Sequence, residues 1–392
     1  MNLPVIRLKK GKENSLQRKH PWIFSGAIEP VDERINDGDL IELNDSQGNF
    51  LGFGFYQLGS ISIKIISFEK KEINTDFFTD KIQNCLNFRK SIFLYPNEHT
   101  NVFRLVFGES DGLPGLIIDY YNGNCILQCH SVGMHKNIDK ITEALKIIFK
   151  DNLVSVYDKS KESLPLSYSE KISNKLLFGS GTSTIVSENG HKFYIDWEKG
   201  QKTGFFIDQR ENRLLLSQYS KNKKILNTFS YTGGFSVYAG ASQAELITSV
   251  DVSSPAIAIA EKNITLNNIN NHQAVVADTF DFLKETTTDY DIIILDPPAF
   301  AKNKSAKHNA VIGYKRLNST AIKKIKPGGI LFTFSCSQVI DKSLFYHTIT
   351  AAAIEARRNV KVLNFLQQPA DHPVSLFYPE GEYLKGMVLY VD

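Results

Sequence analysis

Cysteine is scarce. The four in 392 residues (Cys85, Cys125, Cys129 and Cys336) are too few and scattered for a disulfide framework, which points to a reduced, intracellular protein. Cys125 and Cys129 stand four apart beside His130. No second pair closes a tetrahedral set, and Ile126 and Leu127 between them look like strand, so no metal is expected. Long apolar runs are missing, and the opening MNLPVIRLKKGKENS holds no apolar core of signal-peptide length. The expectation is a soluble, cytoplasmic protein with no membrane partner. Charge of one sign is not in excess: 45 Lys and Arg against 42 Asp and Glu give +3, which excludes a polycation. Any nucleic-acid binding must then rest on where the charges lie. What is present is an ordinary globular balance, 42% hydrophobic and 22% charged, in a chain long enough for two or three domains.

Three textures follow one another. Up to about residue 70, apolar and polar residues alternate between glycine-rich turns, with Ile41 and Leu43 set against Glu42 and Asn44 and a turn at Gln47-Gly48. That texture predicts a small, mostly β barrel, over 1–72. Phe77, Phe78, Ile82, Cys85 and Leu86 then recur at helical spacing from Thr75 to about Arg89. The middle segment, 73–185, mixes strands with turns at Asp111-Gly112 and Asn122-Gly123, then a helix carrying Ile138, Ile141, Leu145 and Ile148. From Asp158 the composition turns polar and basic, as a surface connection would. Over 186–392, strand-like runs (KILNTFS, ELITSVDVS, HQAVVADTF, DIIILDPP, GGILFTFSCS) alternate with helical stretches. This implies an α/β domain with a parallel, Rossmann-like sheet, whose ligands bind at the carboxyl ends of the strands.

Those ends carry polar groups. The first strand runs into Tyr231-Thr232-Gly233-Gly234, where adjacent glycines let the backbone approach a ligand. The turn is not G-x-G-x-x-G, so a pyrophosphate cradle is not expected. The second ends at Asp251, eighteen positions past Gly233, where a carboxylate can accept both hydroxyls of a ribose. The third ends at Asp278, placed to address an adenine, and the fourth at Asp296-Pro297-Pro298-Ala299-Phe300. Together they suit a nucleoside-bearing cofactor without a pyrophosphate, of which S-adenosylmethionine is the common one.

With these motifs the chain resembles the bacterial 23S ribosomal RNA cytosine-C5 methyltransferases that carry an N-terminal PUA domain. The resemblance covers nearly the whole chain. It is most specific in GQKTGFFIDQRENR (200–213), NTFSYTGGFSV (227–237), LDPPAF (295–300), LFTFSCS (331–337) and ADHPVSLFYPEGEYLKG (370–386). It implies a PUA-like RNA-binding barrel, a central α+β domain and a class I methyltransferase domain. By the same resemblance Phe205, Asp208, Arg210, Asn227, Phe229, Tyr231, Gly233, Asp251, Asp278 and Asp296 surround the cofactor. Asp208 and Asp296 could accept from the methionine ammonium. The plainer role for Asp208 is a first-turn acid at a helix start.

Carbon 5 of a pyrimidine is a weak nucleophile until a thiolate adds at carbon 6. Cys336 lies just after the strand GGILFTF, and the other cysteines lie outside the catalytic domain. Position alone also allows a small core residue; the resemblance makes Cys336 the nucleophile. Asp296 is the candidate base for the carbon-5 proton. The fourth-strand motif has no second cysteine, unlike many RNA cytosine-C5 enzymes, although the named family lacks it too. Asp-Pro-Pro-x-Phe also suits methylation of a base amino nitrogen, with Phe300 stacking on a flipped base. A third reading is a catalytically inactive RNA-binding scaffold. For ribosomal RNA, a basic stretch (Arg7, Lys9, Lys10, Lys12, Arg18 and Lys19) is expected to hold phosphates, with Trp22 and Phe24 packed in the barrel core. Lys302, Lys304, Lys307 and His308 follow Phe300 as a substrate loop. Nothing in the sequence excludes a homodimer.

Overall fold

The computed structural model describes residues 3–301 and 303–392. It divides into two compact units, the first made of Met1–Thr184, Asp196–Gly204 and Ala370–Gly381, the second of Ile185–Ile195, Phe205–Pro369 and Glu382–Asp392. No helix among the described residues is long and apolar enough to cross a membrane.

The first unit opens with a five-stranded sheet built from Val5–Arg7, Trp22–Phe24, Leu40–Asn44, Phe50–Tyr56 and Ile61–Ser67. The expected turn at Gln47-Gly48 forms because Asp45 Oδ1 accepts from the amides of Gln47 and Asn49, both at 2.8 Å, with Gly48 at φ +91°. Ile6, Leu8, Ile23, Ile41, Leu43, Ile63 and Ile65 make the core of this sheet. Phe24 departs from expectation. In the strand Trp22–Phe24 it is Ile23 that points inward, and Phe24 is 50% exposed. Trp22 is half-buried, but its indole donates to Glu109 at 2.9 Å and its ring meets Tyr378 at 4.9 Å rather than entering the barrel core.

A second five-stranded sheet joins Val102–Phe107, Leu116–Tyr121, Asn124–Cys129, Ser155–Asp158 and Lys175–Gly179 in consecutive order, with the helices Thr75–Ser91 and Ile138–Phe149 packed on each other. Phe53, Phe55 and Ile66 of the first sheet share one core with Phe78, Ile82, Phe103, Leu127 and Leu145, and Cys125 and Cys129 lie in that core. The polar stretch from Asp158 is not a surface connection throughout. Asp158, Lys159 and Ser160 are buried, and Asp158 meets His135 Nε2 at 3.0 Å and accepts from the Ser160 amide at 3.1 Å. Polar side chains tolerate burial when their partners are also inside. Lys175–Gly179 then adds an edge strand that the composition hid.

The second unit holds a seven-stranded sheet. Its strands in chain order are β1 (Lys224–Thr228), β2 (Leu246–Asp251), β3 (His272–Val276), β4 (Ile292–Leu295), β5 (Gly329–Ser335), β6 (Val360–Gln367) and β7 (Lys385–Val391), arranged β3-β2-β1-β4-β5-β7-β6. The first five pair in parallel, and β7 runs antiparallel between β5 and β6. Helix α1 (Arg210–Ser217) precedes β1, and α2 (Gly234–Ala241), α3 (Ser254–Leu266), α4 (Thr279–Glu285), α5 (Lys307–Lys324) and α6 (Lys342–Ala356) connect successive strands. β4 reads Ile-Ile-Ile-Leu because both faces are covered. Ile292 and Ile294 join a core with Leu216, Phe235 and Phe332, whereas Ile293 and Leu295 join one with Leu317, Ile322 and Phe345.

Two stability predictions follow. Arg89, fully buried, donates to Asp111 at 2.9 and 2.7 Å, to the Arg104 carbonyl at 2.8 Å and to the Asp371 carbonyl at 2.8 Å. Arg89→Ala should lower the unfolding free energy by about 3–5 kcal/mol in a denaturant titration, because it strands a buried carboxylate. His272, 2.7 Å from Ser249 Oγ, is pushed by burial down to about 4. Its neutral form is favoured on folding, so its contribution is complete above the ordinary histidine value of about 6.5 and is lost as pH falls towards 4. Urea titrations at pH 7 and pH 5 should show a smaller acid loss in His272→Gln than in wild type.

Candidate active site

The loop after β1 is built around left-handed backbone. Phe229, Tyr231 and Gly233 have φ of +52°, +46° and +78°, and a Cβ at Gly233 would lie 3.0 Å from that of Ala260, so a side chain there is both strained and crowded. Asp251, at the end of β2, ties this loop down. Its Oδ2 accepts from the Tyr231 amide and its Oδ1 from the Ser253 amide, both at 2.9 Å. A carboxylate has about four acceptor positions, so capacity remains for two hydroxyls. Asn227 donates to Ser236 Oγ at 2.9 Å, while its Oδ1 and Ser230 Oγ are buried without a hydrogen-bond partner among the described residues. Orphaned polar atoms beside a pinned, glycine-bearing loop fit a polar ligand such as a nucleoside.

The turn Ile207–Gln209 comes to the same end of the sheet. The Phe206 ring meets the Tyr231 ring at 5.1 Å, and Gln209 Nε2 donates to Asp296 Oδ2 at 3.0 Å. Asp208 accepts from the Tyr383 hydroxyl at 2.6 Å. Behind them lies a pair the sequence reading missed. Arg213 grips Glu188 through two bonds of 2.8 and 2.7 Å, both side chains buried, and the Tyr238 hydroxyl donates to Glu188 at 3.0 Å. This ties the hairpin Ser183–Glu188/His191–Asp196 to α1 and α2. Phe205 packs on Phe193 and under the Arg213 guanidinium at 4.6 Å, and Arg210 is 1% exposed.

Cys336 is half-buried immediately after β5. Ser337 Oγ donates to the Ala301 carbonyl at 2.7 Å, which binds the Cys336 turn to the loop that begins at Asp296. The buried Tyr314 lies beside both. Burial pushes its phenol up to about 12, and the charges of Cys336 and Asp296 add to the rise. Phe300 packs its ring on Tyr314 at 4.6 Å and against Gly313 of α5. The structure therefore brings together Asp208, Phe229, Tyr231, Gly233, Asp251 and Asp296, with Cys336 on the loop tethered to Ala301. Asp278, at the end of β3, is exposed and caps α4 by accepting from the amides of Phe280 and Asp281 at 2.8 and 3.2 Å. Lys304 opens a 3-10 turn into α5, and Lys302 lies outside the described residues. Lys9, Lys10, Arg18 and Lys19 belong to the first unit, all exposed, with Lys19 over the Phe377 ring at 5.6 Å. Gln209, Arg213 and Tyr383 could have been noticed, because they stand inside the motif stretches 200–213 and 370–386.

Residues 161–375 match the family model described as S-adenosylmethionine-dependent methyltransferase, and residues 6–68 match a PUA-like domain. The chain is 39% identical over 404 residues to the ribosomal RNA large subunit methyltransferase I of Alteromonas mediterranea, covering 100% of this chain and 99% of the relative. It is 40% identical over 397 residues to the enzyme of the same name from Vibrio parahaemolyticus, covering 99% of each. A crystal structure described as a candidate methyltransferase complexed with SAH superposes with a TM-score of 0.85 at 25% identity, covering 100% of both chains. With Asp251 as the ribose acceptor, Asp251→Asn should weaken S-adenosylmethionine binding by roughly tenfold or more in a calorimetric titration. An unchanged affinity would remove Asp251 from the binding set.

Proposed function

The chain belongs to the ribosomal RNA large subunit methyltransferase I family, S-adenosylmethionine-dependent enzymes with a PUA-like domain, and from that membership we propose that it methylates carbon 5 of a cytosine in large-subunit ribosomal RNA through an adduct on Cys336. The observation that carries this reading is the placement of Cys336. It is a half-buried thiol at the carboxyl end of β5, on a turn bonded to the Asp296–Ala301 loop. The three buried cysteines offer no alternative, since burial pushes Cys85 up to about 12 and raises Cys125 and Cys129 further.

In this mechanism the Cys336 thiolate forms a bond to carbon 6 of the cytosine, and the carbon 5–carbon 6 π pair moves towards carbon 5. Asp251 and the Phe229–Gly233 loop would hold S-adenosylmethionine, with Asp208 as an acceptor for its ammonium, and the sulfonium would supply the methyl to carbon 5, the broken carbon–sulfur pair remaining on sulfur in S-adenosylhomocysteine. Asp296, oriented by the Gln209 amide, removes the carbon-5 proton. The released pair restores the double bond and expels the Cys336 thiolate. Asp278 completes the cofactor set on the adenine side. Lys9, Lys10, Arg18 and Lys19 of the barrel contact RNA phosphates, and Lys302 and Lys304 belong to the same RNA-binding set. The division into a barrel (1–72), a central domain (73–185) and a methyltransferase domain (186–392) belongs to the same reading. Methylation of a base amino nitrogen, with Phe300 stacking on the flipped base, is the alternative reading, and in it Cys336 would be dispensable.

Labelled S-adenosylmethionine and unmodified large-subunit RNA should yield labelled 5-methylcytidine with wild type and none with Cys336→Ala. Label on an amino nitrogen, or an unimpaired mutant, would sink the covalent reading.

A further inference from the structure

Lys385 is a buried lysine with no task in the steps above. It opens β7 and pairs in register with Ser335, the last residue of β5, and its Nζ donates to the Ser337 carbonyl at 2.8 Å. The residue therefore brackets Cys336, with its backbone beside the preceding residue and its amine on the carbonyl of the following one. An amine withdrawn from water in this way has few structural reasons to be a lysine, since a neutral donor could serve one carbonyl.

We propose that Lys385 is a positioning residue whose ammonium faces Cys336 and holds it as the thiolate, resting on the reading of Cys336 as the nucleophile. The proton balance is simple. The neutral amine takes the proton of the thiol, leaving an ammonium beside a thiolate, and the thiolate pair is then available to carbon 6. Burial pushes Lys385 down to about 8, the Cys336 charge opposes that fall, and the neutral amine is accessible near physiological pH. The other charged groups that bear on Lys385 are Glu382 and Asp341, which favour its ammonium, and Lys342, which disfavours it. Lys342 is itself paired with Glu382, which leaves Cys336 and, with a smaller effect, Asp341 as the groups that favour the ammonium.

The test is the pH dependence of Cys336 alkylation by iodoacetamide, followed by peptide mass spectrometry on the full chain. The three other thiols are buried and form thiolates at higher pH, so they stay silent. Lys385→Met removes the charge. Lys385→Gln also removes it but keeps a donor for Ser337, and serves if the methionine variant does not fold. Lys385→Arg keeps the charge. An opposite charge at contact shifts an ionisation by about 1–3 pH units, so the neutral variants should raise the alkylation midpoint by about one unit or more, with alkylation roughly tenfold slower at pH 7. Lys385→Arg should stay near wild type. An unmoved midpoint in a folded neutral variant, or an equal shift in Lys385→Arg, would overturn the proposal. The readout needs neither S-adenosylmethionine nor RNA, so its failure is distinct from failure of the methylation assay.

Discussion

Parallel pairing of β1, β2, β4 and β5 sends the carboxyl ends of four strands to one edge of the sheet, and Asp251, Asp296, Phe229, Tyr231 and Cys336 hang from that edge. Each strand is buried on both faces, so its apolar residues leave no room for chemistry along its length. Ionisable and reactive side chains on these four strands gather where each strand stops. Asp251 and Asp296 stand at two of those stops, Phe229 and Tyr231 follow a third, and Cys336 follows the fourth. Antiparallel β7 arrives from the opposite direction, so the start of that strand, rather than its end, reaches the same edge with Tyr383 and Lys385.

Much of this was legible in the sequence because parallel strands advertise themselves as short apolar runs with polar terminators. The five parallel strands and the residues that end them could be read from pattern alone. What could not be read was set by long-range pairing. Glu188 and Arg213 are 25 positions apart and nothing local marks them as partners, yet they hold the hairpin to α1. Gln209 and Asp296 are separated by 87 positions, and Asp208 and Tyr383 by 175. The motif stretches mark Asp208, Gln209, Asp296 and Tyr383 one by one, but a sequence window does not show which of them pairs with which. Phe24 failed for a different reason. Period-two alternation was the right rule, but the neighbouring Ile23 occupied the inward position.

The stretch from Asp158 illustrates the same asymmetry for buried polar groups. Composition reads Asp-Lys-Ser as solvent-facing, because unpaired charges rarely survive inside a protein. Here His135 and the main-chain carbonyls of Trp197 and Gly200 supply partners for Asp158 and Lys159, and those partners come from elsewhere in the chain. Burial of charge is thus a property of the assembled set, not of any member.

The core shared by Phe53, Phe55 and Ile66 with the central sheet also bears on how this architecture can change over generations. A module with its own interior can be gained, lost or exchanged by recombination at its boundary. A barrel whose aromatic residues fill its neighbour's interior cannot be traded so freely, because any replacement must bring matching side chains. Its inheritance is tied to that of the helix and strands beside it, and variation within it is confined to the exposed surface rather than gained by shuffling whole barrels.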